Sequence, residues 1–380
     1  MLYQPHFLYR LKLVFVYLFI KVELLQFLLP KSFKENLPKG WNNYMFWIAF
    51  KSGGTKVYFE YYSKLKEPDS YEPKLVVESQ YQLTKEDICF LYKNAYIGPF
   101  DLMPSEEMQE IKEHLVELFK TESKVFSYSK GDFELASGGN YRNKCFDSLT
   151  EKEKYYVNLL NGFERHLEDS VYLNLFKHRA ITERCAQILG PDLLLWHCNH
   201  FGIDPHAKGS GWHQESRWLS IDMKESILEP TDEEELFEID CWIALTDAPV
   251  ERASLALIPG SQQEIYPMKV KGRKADSGDK GIVYGQYDIE LDYKINAEDI
   301  KHLPAKAGQF YLFCGRAIHG SADNITNQKR WAVGGRYIKA DTKVFTPNML
   351  KNDLTHEVYG LKNIKLDKWK PVLVRGKKSA

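Results

Sequence analysis

The strongest constraint on this chain comes from two short segments that lie far apart in sequence. One is Gly211-Trp212-His213-Gln214-Glu215; the other is His319-Gly320-Ser321, with Arg330 beyond it. His213 and Glu215 are spaced i, i+2, which puts both side chains on one face of a strand but about 200° apart on a helix. If they grip one ion, they must sit on extended chain. A His-x-carboxylate pair with a distant histidine is the ligand set of a mononuclear non-haem iron(II) site, with positions left open for a co-substrate and O₂. Arg330 adds a fork that matches a carboxylate such as that of 2-oxoglutarate.

The tripeptide pattern alone is weak, and a second copy occurs at His166-Leu167-Glu168. That copy lies in a Leu/Glu/Lys-rich stretch, 151–189, whose apolar residues recur at helical spacing, so its two side chains diverge. His213 follows a strand-like run, Leu193 to His197, and a Gly/Pro-containing turn, Gly202 to Gly211. Phe310 to Phe313 is a second apolar strand run that delivers His319 past its end. Arg330 opens a third, Trp331 to Ile338, and a short loop between neighbouring strands would set His319 and Arg330 close together.

The chain has 380 residues and a net charge of −1, so it offers no basic field for nucleic acid. Six cysteines are scattered without a CxxC pair, which predicts reduced thiols in a cytoplasmic protein. Asp232 to Glu235 is an acidic run, read as a solvated loop, with a substrate-facing lid as the alternative. Residues 1–80 form an N-terminal extension. Leu8 to Leu29 is apolar but broken by Arg10, Lys12, Lys21 and Glu23, and so too interrupted to span a bilayer. A core helix, a helix lying on a membrane and a partner surface all remain open for it. Tyr44 to Tyr62, around Gly53-Gly54, predicts a hairpin. Residues 102–189 read as helices outside a sheet, interrupted at Ser137 to Asn140, with Tyr141 and Arg142 as candidates to reach a substrate.

Several segments, in order, resemble the phytanoyl-CoA dioxygenase family of iron(II)/2-oxoglutarate oxygenases, nearest the branch containing carrier-protein-dependent aliphatic halogenases. They are Leu83 to Asp101 and on to Met108, Trp242 to Asp247, Ser254 to Ser261, Ala307 to Asn324 with Arg330 and Arg336-Tyr337, and Trp369 to Gly376. The resemblance covers residues 81–376 and implies an all-β core with flanking helices: a double-stranded β-helix, or cupin-like jelly roll. It implies His213, Glu215 and His319 as the iron ligands. Arg330 would hold the far carboxylate of 2-oxoglutarate, Ser210 and Trp242 would stand beside the co-substrate, and Arg336 would lie behind the site. Two residues depart from the family pattern: Glu215 where aspartate is usual, and Gln262 where histidine is common. A His-x-Glu pair also occurs in clavaminate-synthase-like oxygenases.

In the halogenases a small residue replaces the carboxylate and leaves room for halide; Glu215 fills that position. The implied reaction is hydroxylation of an unactivated C–H in a small metabolite of specialised metabolism, with 2-oxoglutarate converted to succinate and CO₂. Desaturation or cyclisation, halogenation, and a non-catalytic jelly-roll binding module are the alternatives. A carrier-protein-bound group or a lipid-like molecule are rival substrates, and the apolar N-terminus raises peripheral membrane contact.

Overall fold

A computed structural model describes residues 7–35, 37, 41–135, 141–218, 225–273, 287–356 and 361–377. The strands that build the barrel are β1 (Tyr96–Asp101), β2 (Leu193–Ile203), β3 (Glu238–Ala244), β4 (Leu255–Leu257), β5 (Lys301–Leu303), β6 (Gln309–Phe313), β7 (His319–Ser321), β8 (Arg330–Lys339) and β9 (Val372–Arg375). Six of them form a major sheet in the order β9-β2-β8-β3-β6-β1, and a minor sheet runs β5-β4-β7. An isolated antiparallel bridge from His213 to His319 extends the minor sheet beyond β7.

Alternation along the strands explains the layering. On β3, Ile239, Cys241 and Ile243 face one core, together with Val333 and Tyr337 of β8 and Phe310 and Leu312 of β6. That core is closed by helices α1 (Lys85–Asn94), α2 (Ser105–Phe119), α3 (Ser170–Lys177) and α4 (Arg179–Leu189). The alternate residues of β3, Trp242 and Ala244, face inward with Tyr311, Phe313 and Ala332, against Leu255, Leu257 and Leu303 of the minor sheet. Two sheets with a shared interior and helices on the outer face make the fold a double-stranded β-helix, as predicted.

Local signals set the helix starts. Thr84 and Asp87 form a reciprocal capping box at α1, and Thr150 and Glu153 do the same for the helix Glu151–Leu160. The expected hairpin at Tyr44 to Tyr62 is instead a helix, Asn43–Ser52, followed by a two-residue strand, Lys56–Val57. Asn42 caps its start by accepting from the Met45 amide. Gly53, at φ 65, ends it in the left-handed region, where glycine carries no Cβ penalty. Gly53 therefore closes a helix; it does not turn a hairpin. Lys56–Val57 pairs with Met268–Arg273, which pairs in turn with Tyr287–Leu291.

The extension also grips the barrel near the ligand segment. Glu60 accepts from the amides of Arg217 and Trp218. Buried Arg316 donates to the Ser63 hydroxyl and carbonyl. The acidic run is tied down as well: Arg217 pairs with Glu233 and Lys339 with Glu235.

Candidate metal centre

His213, Glu215 and His319 converge, with one potential ligand atom of each lying within 4.8 Å of the others. The backbones of the two histidines are joined reciprocally: the His213 amide donates to the His319 carbonyl at 3.1 Å, and the His319 amide to the His213 carbonyl at 3.0 Å. Each ring is then turned by a carbonyl two residues back. His213 Nδ1 donates to Gly211 O at 2.7 Å and His319 Nδ1 to Ala317 O at 2.9 Å. With Nδ1 carrying the proton, Nε2 of each ring keeps a lone pair for a metal. Burial, with His213 alongside, pushes His319 down to about 3, so its imidazole is neutral over the physiological range.

Glu215 is fixed at both ends. Its amide donates to Gly315 O at 2.8 Å, and its Oε2 accepts from both Nε (3.0 Å) and Nη2 of Arg336. Oε1 lies 3.9 Å from His213 Nε2, on the side of the imidazoles. Burial would raise the Glu215 carboxyl, but Arg336 and the two histidines outweigh it and hold it below the usual range. Arg336 is itself held by Asp240 at 3.4 Å, and its guanidinium lies over the Trp218 ring. Burial drives the Asp240 carboxyl up to about 7 despite that arginine. Two imidazoles and one anionic carboxylate, oriented by a second set of hydrogen bonds, fit a divalent iron.

Arg330 opens β8 in the major sheet, whereas His319 lies in the minor sheet. The two lie in different sheets and not on neighbouring strands of one, as the sequence had suggested. The intervening turn is organised by Asn324, whose amide donates to the carbonyls of Ile203, Asp204 and Gln328. Arg330 is 2% exposed and spends two donors on carbonyls, Nε on Ala253 O and Nη1 on Phe201 O. No carboxylate among the described residues pairs with it, and burial lowers its guanidinium to about 9. Trp242 lies beneath it at 5.6 Å from the ring centroid. A buried cation with no protein anion is a receptor for an anionic ligand, and a 2-oxoglutarate carboxylate fits it. Ser210 flanks β7 of the minor sheet, its amide donating to the Ser321 hydroxyl at 2.8 Å and the two hydroxyls lying 3.2 Å apart. Gly209 makes this approach possible, since a Cβ there would lie 2.0 Å from Ser321 O.

The structure thus brings His213, Glu215 and His319 together, sets Arg336 on Glu215, Ser210 on Ser321 and Arg330 over Trp242. His166 does not belong to this site. It is buried on a single 3-10 turn, Arg165–Leu167, and not on an α-helix, because Glu164 enters that turn at φ 55; Glu168 pairs with Arg165. Tyr141 is fully buried against Phe133, and Ser137 to Asn140 lie outside the described residues. Gln262 donates to Tyr92 O and so braces α1. Sequence reasoning missed Asp240, Trp218 and Asn199, whose side-chain oxygen accepts from Arg336 Nη1 at 3.4 Å. The signal for Asp240 was present: Glu238 and Asp240 are acids at period two in an otherwise apolar strand, on the same face as Trp242.

The fold is a jelly roll, and its ligand set suits a single divalent metal. Residues 92–332 match the model of the phytanoyl-CoA dioxygenase (PhyH) family, and the chain belongs to that family, whose members use iron(II), 2-oxoglutarate and O₂. It is 26% identical over 184 residues to an ectoine dioxygenase of Nocardia farcinica, an alignment covering 47% of this chain and 59% of that one. A Streptomyces anulatus ectoine dioxygenase is 25% identical over 193 residues, covering 48% and 61%. The alignments thus span about three fifths of the length of these relatives. Among solved structures, CytC3 with Fe(II) and alpha-ketoglutarate superposes with a TM-score of 0.55 at 17% identity, covering 78% of this chain and 90% of that one. EctD from S. alaskensis in its apoform gives 0.50 at 14% identity, covering 75% and 86%. At these identities the structural likeness concerns the fold.

Proposed function

We propose that the protein hydroxylates an unactivated C–H bond of a small metabolite, consuming O₂ and 2-oxoglutarate and releasing succinate and CO₂. One oxygen atom enters the product as hydroxyl and the other enters succinate. The observation that carries this reading is the pairing of a complete His213/Glu215/His319 triad with Arg330, a buried cation that lacks a protein anion among the described residues. A binding module would need neither. Relatives named for ectoine, a small metabolite, support the substrate class.

Bound iron with its co-substrates supplies the oxidising power for the C–H bond. The residues of this chain hold and shield it. Gly211 and Ala317 orient the imidazoles, and Arg336 holds one oxygen of Glu215 so that the other faces the histidines. Arg330, over the Trp242 ring, receives the far carboxylate of 2-oxoglutarate, and the paired hydroxyls of Ser210 and Ser321 offer further donors. Trp242, Tyr311 and Phe313 form an apolar wall that keeps water from the reacting centre.

The test is 2-oxoglutarate-dependent turnover of candidate metabolites, read by mass spectrometry in excess chloride. A gain of one oxygen supports the proposal. A loss of two hydrogens would replace hydroxylation with desaturation or cyclisation. A chlorine isotope pattern from the wild-type protein would show that Glu215 does not occupy the position assigned to it. Carrier-bound and lipid-like candidates belong in the same panel.

A further inference from the structure

The N-terminal helix Phe7–Lys21 has two apolar faces, and only one of them is used. Leu13 is buried against Phe46 and Ala49 of the helix Asn43–Ser52, with Tyr17 stacked on Phe46 at 3.9 Å. Arg10 donates to the Phe50 and Lys51 carbonyls and so fastens the helix to its neighbour's C-terminal end. On the opposite side Leu8, Leu11, Phe15, Leu18 and Val22 are exposed, Leu8 at 66% and Phe15 at 55%. At 3.6 residues per turn these positions fall within an arc of about 100°, a continuous stripe. Leu24 and Phe27, in the 3-10 segment that follows, are exposed as well.

Charge indicates what covers the stripe. Lys12 borders it on one side and Lys21 on the other, both exposed, and the helix carries no acidic residue. Through residue 35 the chain has five basic and two acidic side chains, in a protein whose net charge is −1. Two copies meeting on this face would bring like charges together with no acid on the helix to pair them. An apolar stripe with lysines at both borders suits a bilayer surface, where the hydrocarbon receives the stripe and anionic headgroups receive the ammonium groups. No helix among the described residues is long and apolar enough to cross a membrane.

We propose that this docked helix is an interfacial anchor, seating the protein on membranes that contain anionic phospholipid. Such an anchor is independent of the chemistry of the metal centre.

Sedimentation of the full-length protein with vesicles tests it, using phosphatidylcholine alone and phosphatidylcholine mixed with phosphatidylserine. The wild type should pellet with the mixed vesicles, much less with the neutral ones, and should be released by salt. Leu18→Asp, on the exposed stripe and away from the face that holds Leu13, should weaken binding roughly tenfold or more. Lys12→Glu with Lys21→Glu should remove most of the preference for the anionic vesicles, about fivefold per cation, while leaving residual binding. Unchanged circular dichroism and iron binding in each variant show that the fold is intact. Wild-type protein remaining in the supernatant with both vesicle types overturns the proposal, as does Leu18→Asp binding as well as wild type. So does a concentration-dependent dimer that binds no vesicle and that Leu18→Asp dissociates.

Discussion

Glu215 carries one methylene more than aspartate, and Arg336 takes up that extra reach by holding Oε2 with two donors. Arg336→Ala should therefore weaken iron(II) binding by about 10–100-fold in an anaerobic titration, with Lys restoring only part, since a point charge cannot fork. Glu215→Asp should bind iron but more weakly, because Arg336 would then draw a shorter carboxylate away from the histidines. Arg330→Ala should lower 2-oxoglutarate affinity by about 3–5 kcal/mol, read from the co-substrate dependence of iron-complex absorbance. Unchanged affinity would move the co-substrate elsewhere. The ligands were legible because i, i+2 spacing on a strand is itself a geometric statement. Arg330's lack of a carboxylate partner among the described residues was not: a sequence shows that an arginine is present, but not which acids fold near it.

At the scale of elements, one tight constraint is the approach of the 209–210 segment to the backbone of β7. Gly209→Ala would drive a Cβ into the Ser321 and Ala322 carbonyls, both held by backbone and unable to swing aside. The variant should lose about 1–3 kcal/mol in thermal or denaturant unfolding and bind 2-oxoglutarate more weakly, since Ser210 moves with it. Strand runs such as Phe310 to Phe313 and the capped helix at Thr84 could be read from periodicity and capping chemistry, which are local. The helix Asn43–Ser52 was misread because Gly53-Gly54 signals a turn equally well in a hairpin or at a helix end. The placement of His319 and Arg330 in different sheets was hidden for another reason: sheet membership depends on which strands pair at long range, and loop length does not fix that.

Across the whole molecule, buried imidazoles set the response to acid. Burial pushes His166 down to about 3 and His200 to about 4. Both are neutral in the fold and protonate more readily in the unfolded chain, so stability is present above pH ~6.5 and is lost as pH falls toward those lower values. The metal-free protein should melt at lower temperature as pH drops from about 7 to 5, losing on the order of 2 kcal/mol per imidazole. A melting temperature independent of pH over that window would mean that water reaches these rings. The contacts of Glu60 with the amides of Arg217 and Trp218, and of Ser63 with Arg316, connect the extension to the chain on either side of the metal ligands. Coupling of this kind is reciprocal. Iron bound at Glu215 should slow hydrogen exchange in the Glu60–Ser63 stretch, and cutting the chain there should weaken iron binding. A protease that nicks this stretch would then release iron without touching a ligand.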